Sequence, residues 1–172
     1  MVERIIEVFE KYDTDKNSKG HNYGPIYAQH LPKTAKKILE IGVDKGASIN
    51  MWHELYPEAK IYGLDLFTNY PDYPFVADWV QWFKGSQTDG RLLGDVRTHG
   101  PFDIIIDDGS HNWRDQLITF FGLWGCCDLY VVEDILLDNF WSQGLPLHDN
   151  IKFLNVNAKI YNYEEIKFFY AP

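Results

Sequence analysis

The stretch Phe102-Asp103-Ile104-Ile105-Ile106-Asp107-Asp108-Gly109-Ser110-His111 constrains the fold more than any other part of the chain. Three consecutive isoleucines leave no wet face, so they read as a strand covered on both sides, the usual state in a parallel sheet. The run stops at two carboxylates, a glycine, a serine and a histidine. The same design recurs at Leu129-Tyr130-Val131-Val132, which ends in Glu133-Asp134. In open α/β sheets, ligands bind just beyond the carboxyl ends of the strands. As neighbouring strands, about 4.8 Å apart, the two runs would bring three or four carboxylates to one point. Such a cluster repels itself unless a cation sits within it, and a hard divalent ion with oxygen ligands suits it.

Further segments supply the rest of such a sheet. Residues 37–41 are strand-like and lead through Gly42-Val43-Asp44-Lys45-Gly46 into a helical stretch at 47–56. A second strand at 59–64 ends in Asp65, and a third at 80–84 leads to Gly85-Ser86-Gln87-Thr88-Asp89 and a helix carrying Leu92, Leu93 and Val96. Helical spacing follows at 112–123, with Trp113 in the first turn as either a core residue or a platform for a ligand ring. The fifth strand is 129–132. Two strand-like runs, 151–160 and 165–170, are close enough to pair antiparallel at one edge. Residues 135–150, with Trp141, Gly144 and Pro146, read as a helix plus a loop over the site, whereas 67–79 give no clear pattern.

Ahead of the sheet, Val2, Ile5, Ile6, Val8 and Phe9 fall at helical spacing within residues 2–12. The polar stretch 13–23 reads as a solvated turn, and Gly24-Pro25 opens a helix near 26–31. Tyr23 and Tyr27 are candidates to line a pocket. These patterns predict an α/β fold, a doubly wound Rossmann-like mixed sheet with a C-terminal antiparallel hairpin. One domain over residues 1–172 is expected, with 1–36 a helical lead-in to a core at 37–172.

The formal charge of −9 and the lack of a basic stripe argue against a nucleic-acid partner. No apolar run approaches the roughly 18 residues of a membrane span, and the charged start Met1-Val2-Glu3-Arg4 does not read as a signal peptide. The adjacent Cys126 and Cys127 form neither a disulfide framework nor a zinc pair, and read as small buried residues in a reducing cytoplasm.

The loop at 42–46 is not the glycine fingerprint that cradles a pyrophosphate, because Asp44 stands where a diphosphate needs a small uncharged residue. It suits a zwitterionic ligand such as a methionine-type amino acid moiety. Asp65, at the end of the second strand, is placed to accept both hydroxyls of a ribose. Ser86 and Gln87 lie where polar groups could reach an adenine edge. Plainer readings are tight turns for the glycines and a helix cap for Ser86 or Thr88.

Taken together, Thr14-Asp15-Lys16, His21-Asn22-Tyr23, Leu39-Glu40-Ile41-Gly42, Gly46-Ala47-Ser48, Gly85-Ser86-Gln87-Thr88-Asp89, Asp107-Asp108-Gly109-Ser110-His111 and Glu133-Asp134 are distinctive. In this order they resemble the class I S-adenosylmethionine-dependent methyltransferases related to the macrolide sugar O-methyltransferases of macrocin and mycinamicin type. The resemblance implies S-adenosylmethionine and Mg²⁺ as cofactors and a sugar or other vicinal diol as small-molecule acceptor. It implies Asp108, Glu133 and Asp134 as metal ligands and His111 as general base. Glu40 and Gly42 would match the cofactor loop, Asp65 the ribose acid and Gln87 part of the adenine-side wall, with Gly46, Ser48, Leu66 and Ser86 also binding the cofactor and Asp107 a supporting or cofactor-facing residue. Tyr23 would make a contact from the lead-in that closes the pocket. A homo-oligomer is expected, since the family self-associates. A catechol-like acceptor, or a nucleoside-binding domain without turnover, are the alternatives that the residues leave open.

Overall fold

The computed structural model describes residues 2–72, 78–135, 159–163 and 165–172. Their strands are β1 (Lys37–Ile41), β2 (Lys60–Asp65), β3 (Gln81–Lys84), β4 (Phe102–Asp107), β5 (Cys127–Val132), β6 (Lys159–Asn162) and β7 (Lys167–Tyr170). The helices are α1 (Val2–Lys11), α2 (Gly24–His30), α3 (Ala47–Leu55), α4 (Gly90–Thr98) and α5 (Trp113–Leu123). The strands form one sheet in the order β3-β2-β1-β4-β5-β7-β6. From β3 to β5 all neighbours are parallel, and β7 runs antiparallel between β5 and β6. This is the expected doubly wound mixed sheet with its terminal hairpin. Of the expected run 151–160, residues 151–158 lie outside the described residues and the remainder belongs to β6; the expected helix and loop lie outside them as well over 136–150. Helices follow β1, β3 and β4, whereas the described residues between β2 and β3 form turns.

Alternation along each strand sorts side chains to two cores. Ile38, Ile104, Ile106 and Val131 pack with Ile5, Phe9, Tyr27 and Trp52 of α1 to α3. Leu39, Ile105, Tyr130 and Val132 pack with Leu93, Val96, Phe120 and Leu123 of α4 and α5. The isoleucine run is therefore covered on both faces, as its composition requires. On the first face, Phe9, Tyr27 and Trp52 meet pairwise with ring centroids 5.3–5.7 Å apart, the range of favourable aromatic contacts. Ile5, Val8 and Phe9 of α1 are buried, but Val2 faces solvent. Trp113 packs partly buried against the second core, Cys127 is buried and Cys126 half-buried. No helix among the described residues is long and apolar enough to cross a membrane.

His30 ties the lead-in to the hairpin. Its Nδ1 lies 2.9 Å from the Tyr170 hydroxyl and its Nε2 2.7 Å from the Tyr163 hydroxyl, and its ring stacks on Phe168 at 4.2 Å. Burial, aided by the Lys159 charge, pushes the imidazole below its ordinary value of 6.5. The folded His30 therefore resists a proton that the unfolded chain accepts, so its contribution is complete above the unfolded pKa and is lost as pH falls through the folded one. In urea denaturation His30→Phe is expected to gain stability near pH 5 relative to pH 7.5, shifting the difference that wild type shows between the two. An unchanged difference in the variant would exclude His30 as its source.

Candidate active site

The carboxyl ends of β1, β4 and β5 lie level, with Ile41 beside Asp107 and Asp107 beside Val132. Strand parity then separates the acids. Asp107 follows Ile106 and turns to the α4 and α5 face, where its Oδ1 accepts from Gln87 Nε2 at 3.2 Å and its Oδ2 from the Tyr130 hydroxyl at 3.2 Å. Glu40 and Glu133 turn the other way and are fully buried. Glu40 accepts from Ser48 Oγ at 2.7 Å and Trp52 Nε1 at 3.1 Å, and the Tyr27 hydroxyl donates to Glu133 Oε1. Burial pushes Asp107 and Glu40 up to about 7; it likewise raises Asp108, and Glu133 well above the usual carboxylate range.

The charge that meets these acids comes from the lead-in. Lys16, 1% exposed, donates from Nζ to Asp108 Oδ2 and, at 2.5 Å, to Glu133 Oε2, with Glu40 Oε1 4.0 Å away. Burial alone would lower the pKa of its ammonium, but the Asp108, Glu133 and Glu40 carboxylates outweigh burial and hold it well above the usual lysine value. The turn expected at 13–23 is present and mostly exposed, but it is not solvated throughout. The segment folds back on itself through His21 N to Asp15 O at 2.7 Å and Tyr23 N to Lys16 O at 2.9 Å, and it buries Lys16 and Asn17. A lysine alone in a polar run carries no local sign of burial; only its place in the Thr-Asp-Lys motif drew notice to it.

A cleft of about 720 Å³ opens between this lead-in loop and the strand ends; Asp13, Thr14, Asp15 and Asn17 line one side, and Gly42, Ser48, Asp65, Asp108 and His111 are on its walls. Asp65 holds the loops together. Its Oδ2 accepts from Val43 N at 2.7 Å and Asp44 N at 3.3 Å, its Oδ1 from Phe67 N at 2.6 Å. Gly46, at φ +79°, is the N-cap of α3. At the mouth, ligand atoms of Asp108, His111 and Asp134 lie within 4.8 Å of one another. His111 has φ +56°, and its Nε2 is 3.9 Å from Asp134 Oδ2. The cap of α5 is Asn112, which accepts from Arg114 N at 3.0 Å, so the His111 ring is not used for capping. Its Nδ1 is buried and without a partner among the described residues. Tyr23 donates to Asp134 Oδ1 at 2.7 Å, and His21 Nε2 is 3.5 Å from the same oxygen.

Several expected residues stand elsewhere. Glu133 lies outside the group formed by Asp108, His111 and Asp134, and its two oxygens accept from Lys16 and Tyr27. Gln87 lies beneath the strand end, donating to Asp107 and Thr119 while its Oε1 accepts from Ser110 N at 2.7 Å. It supports the Asp-Asp-Gly-Ser turn and is absent from the cleft wall, as are Asp107, Glu40 and Tyr23. Leu66 is 53% exposed and off the wall, although Thr68, Asn69 and Tyr70 just after it line the cleft. Ser86 bonds Thr88 at 2.8 Å, and Asp89, not Ser86 or Thr88, caps α4 through Arg91 N and Leu92 N.

No family model matches the chain. It is 33% identical over 157 residues to mycinamicin VI 2''-O-methyltransferase of Micromonospora griseorubida, covering 83% of this chain and 37% of that protein. It is 32% identical over 150 residues to 8-demethyl-8-(2-methoxy-alpha-L-rhamnosyl)-tetracenomycin-C 3'-O-methyltransferase of Streptomyces olivaceus, covering 79% and 36%. Demethylmacrocin O-methyltransferase of Streptomyces fradiae is 31% identical over 155 residues, covering 81% and 37%. The chain therefore spans little more than a third of the length of these relatives. Among solved structures, the MycE methyltransferase from the mycinamycin biosynthetic pathway, in complex with Mg, SAH and mycinamycin VI, superposes with a TM-score of 0.80 at 26% identity, over 96% of this chain and 54% of that one.

Gly42, just after β1, lies against the turn that follows β4. Its φ is +83° and a Cβ there would meet the Asp108 carbonyl oxygen at 1.9 Å. Gly42→Ala is expected to lower stability by about 2 kcal/mol or more, from strain at positive φ and backbone displacement. Gly94→Ala, with nothing within 4 Å of its Cβ, should instead gain up to about 1 kcal/mol as an exposed helix position. Equal effects in urea denaturation would contradict this reading of Gly42.

Proposed function

This chain belongs to the sugar O-methyltransferase family of the mycinamicin, tetracenomycin and macrocin enzymes, and on that premise we propose that it methylates a hydroxyl of a sugar or other vicinal diol, using S-adenosylmethionine and a divalent cation such as Mg²⁺. The observation that carries the proposal is the meeting of Asp108, His111 and Asp134 at the mouth of a cleft whose walls include Gly42, Ser48 and Asp65.

The donor set fits a hard cation. Two carboxylates from neighbouring strand ends, with a buried imidazole nitrogen beside them that has no partner among the described residues, form an oxygen-rich site of the kind that Mg²⁺ takes. Asp108 and Asp134 would hold it, together with Glu133, which precedes Asp134 after β5 and accepts from Lys16. When bound, the cation lowers the pKa of a coordinated hydroxyl, and the cofactor supplies an electrophilic sulfonium methyl.

The chain's own residues do the positioning that an in-line displacement requires. Asp65 draws Val43, Asp44 and Phe67 together, which shapes the wall for a nucleoside. Tyr23 fixes Asp134 through its Oδ1, leaving Oδ2 toward His111. His111 Nε2 takes the acceptor proton as the new C–O bond forms, and the Asp134 carboxylate 3.9 Å away stabilises the resulting imidazolium. MycE in complex with Mg and SAH supports the cofactor pair, and the named relatives support a sugar as acceptor.

Calorimetry with S-adenosylhomocysteine, with and without Mg²⁺, tests the reading. Wild type and His111→Ala are expected to bind the cofactor alike, and Asp108→Ala to lose metal binding. Methyl transfer to a glycoside acceptor should fall about 100- to 10,000-fold in His111→Ala. No heat from either cofactor or metal at millimolar concentration would sink the proposal.

A further inference from the structure

Lys167 is 5% exposed, and its ammonium has no hydrogen-bond or ion-pair partner among the described residues. Burial alone acts on it, pulling it below the ordinary lysine value of 10.5. An ammonium withdrawn from water without a counter-charge is destabilising. In a chain with 25 acidic residues, this cation is nevertheless left unmatched.

Its place in the fold is beside the metal-ligand group. Lys167 opens β7 opposite Val132 of β5, and the bond from Ile135 N to Glu165 O, 3.0 Å, continues that pairing beyond the strand ends. Asp134 comes two residues after Val132, which sets its Cα roughly 9 Å from that of Lys167 by strand spacing. Residues opposite one another share a sheet face, and Val132 and Phe169 both pack in the second core. The Lys167 side chain therefore lies on the α5 face, whereas Glu133 reaches Lys16 and Tyr27 on the other. Gln116 of α5 borders the same strand end. It is fully buried, its Nε2 donates to Glu133 O at 3.0 Å, and its Oε1 has no partner among the described residues. A cationic donor and a neutral acceptor, both buried and both unmatched, thus flank the end of β5.

We propose that Lys167 binds an anionic oxygen group of the acceptor, a carboxylate or a phosphate, while Gln116 Oε1 accepts from a hydroxyl of the same molecule. The preferred substrate is then an acidic sugar derivative. The inference rests on the sugar reading above and deepens it by naming the acceptor's charge. A neutral glycoside leaves the lysine unpaired, and a site with buried polar groups discriminates against a ligand that cannot match them.

Calorimetry on the full chain, with Mg²⁺ and S-adenosylhomocysteine present, compares methyl glucoside, methyl glucuronide and glucose 1-phosphate. Wild type is expected to bind one of the two anions at least tenfold more tightly than the neutral glycoside, and the anion preferred identifies its source. Lys167→Met should erase that preference, and Lys167→Arg should keep part of it. Because no ion pair is broken, Lys167→Met should unfold at the wild-type temperature or above it. A preference that survives in Lys167→Met, or is absent from wild type, overturns the inference. So does a clear fall in unfolding temperature in that variant, which would mark the lysine as structural. Methyl transfer to the neutral glycoside would in those cases leave the earlier reading standing. An anion preference that Lys167→Met erases, without methyl transfer to any acceptor, would instead uphold the anion site and sink the earlier reading.

Discussion

The buried ammonium of Lys16 among the Asp108, Glu133 and Glu40 carboxylates is the interaction on which the rest of the site depends. Removing a charged group from water costs several kcal/mol even after relaxation, and the loss is offset only by close partners and by hydrogen bonds to the remaining lone pairs. The surroundings supply those bonds. Tyr27 serves Glu133, while Ser48 and Trp52 serve Glu40. Each donor comes from the helical layer over one face of the sheet, so the packing of α2 and α3 and the placement of the acids are one arrangement. The lead-in loop is held to the strand ends by the same contact.

Sheet topology puts a cleft beside that interaction. Between β1 and β4 the strand order reverses, and in a doubly wound sheet the connections diverge there and leave a crevice. Asp108 N donates to Ile41 O at 2.8 Å, which brings the turn after β4 against the end of β1, and only a glycine at position 42 leaves room for it. Gln87 supports that turn from below and Asp65 draws the neighbouring loops together. The result is a rigid rim carrying Asp108 and His111, with Asp134 supplied from β5 and steadied by Tyr23.

Much of this was legible in the residues. The isoleucine run demanded a strand covered twice, and the repeated strand-then-acid pattern located the functional edge of the sheet. Asp108, His111, Ser48, Gly42 and Asp65 fall on the cleft wall where the motifs suggested. Parity could have gone further: Asp107 must face away from Asp108, because successive strand residues point to opposite faces. Side-chain directions outside the strands were not legible in this way. Gln87, Leu66 and Ser86 belong to loops, whose side-chain directions follow no period, and the choice of Asp89 over its neighbours as the α4 cap was settled by local backbone geometry.

The sequence by itself determined the period of each element, the ends of the strands and the membership of the family, because alternation, punctuation and ordered motifs are local properties. Only the tertiary structure decided which cation meets the acids. Lys16 lies 92 residues from Asp108 and 117 from Glu133, and a polar segment that looks solvated carries no mark of a partner so far away. Whether its lysine reaches water or a carboxylate depends on how the lead-in packs across the strand ends, and burial makes that choice energetically decisive.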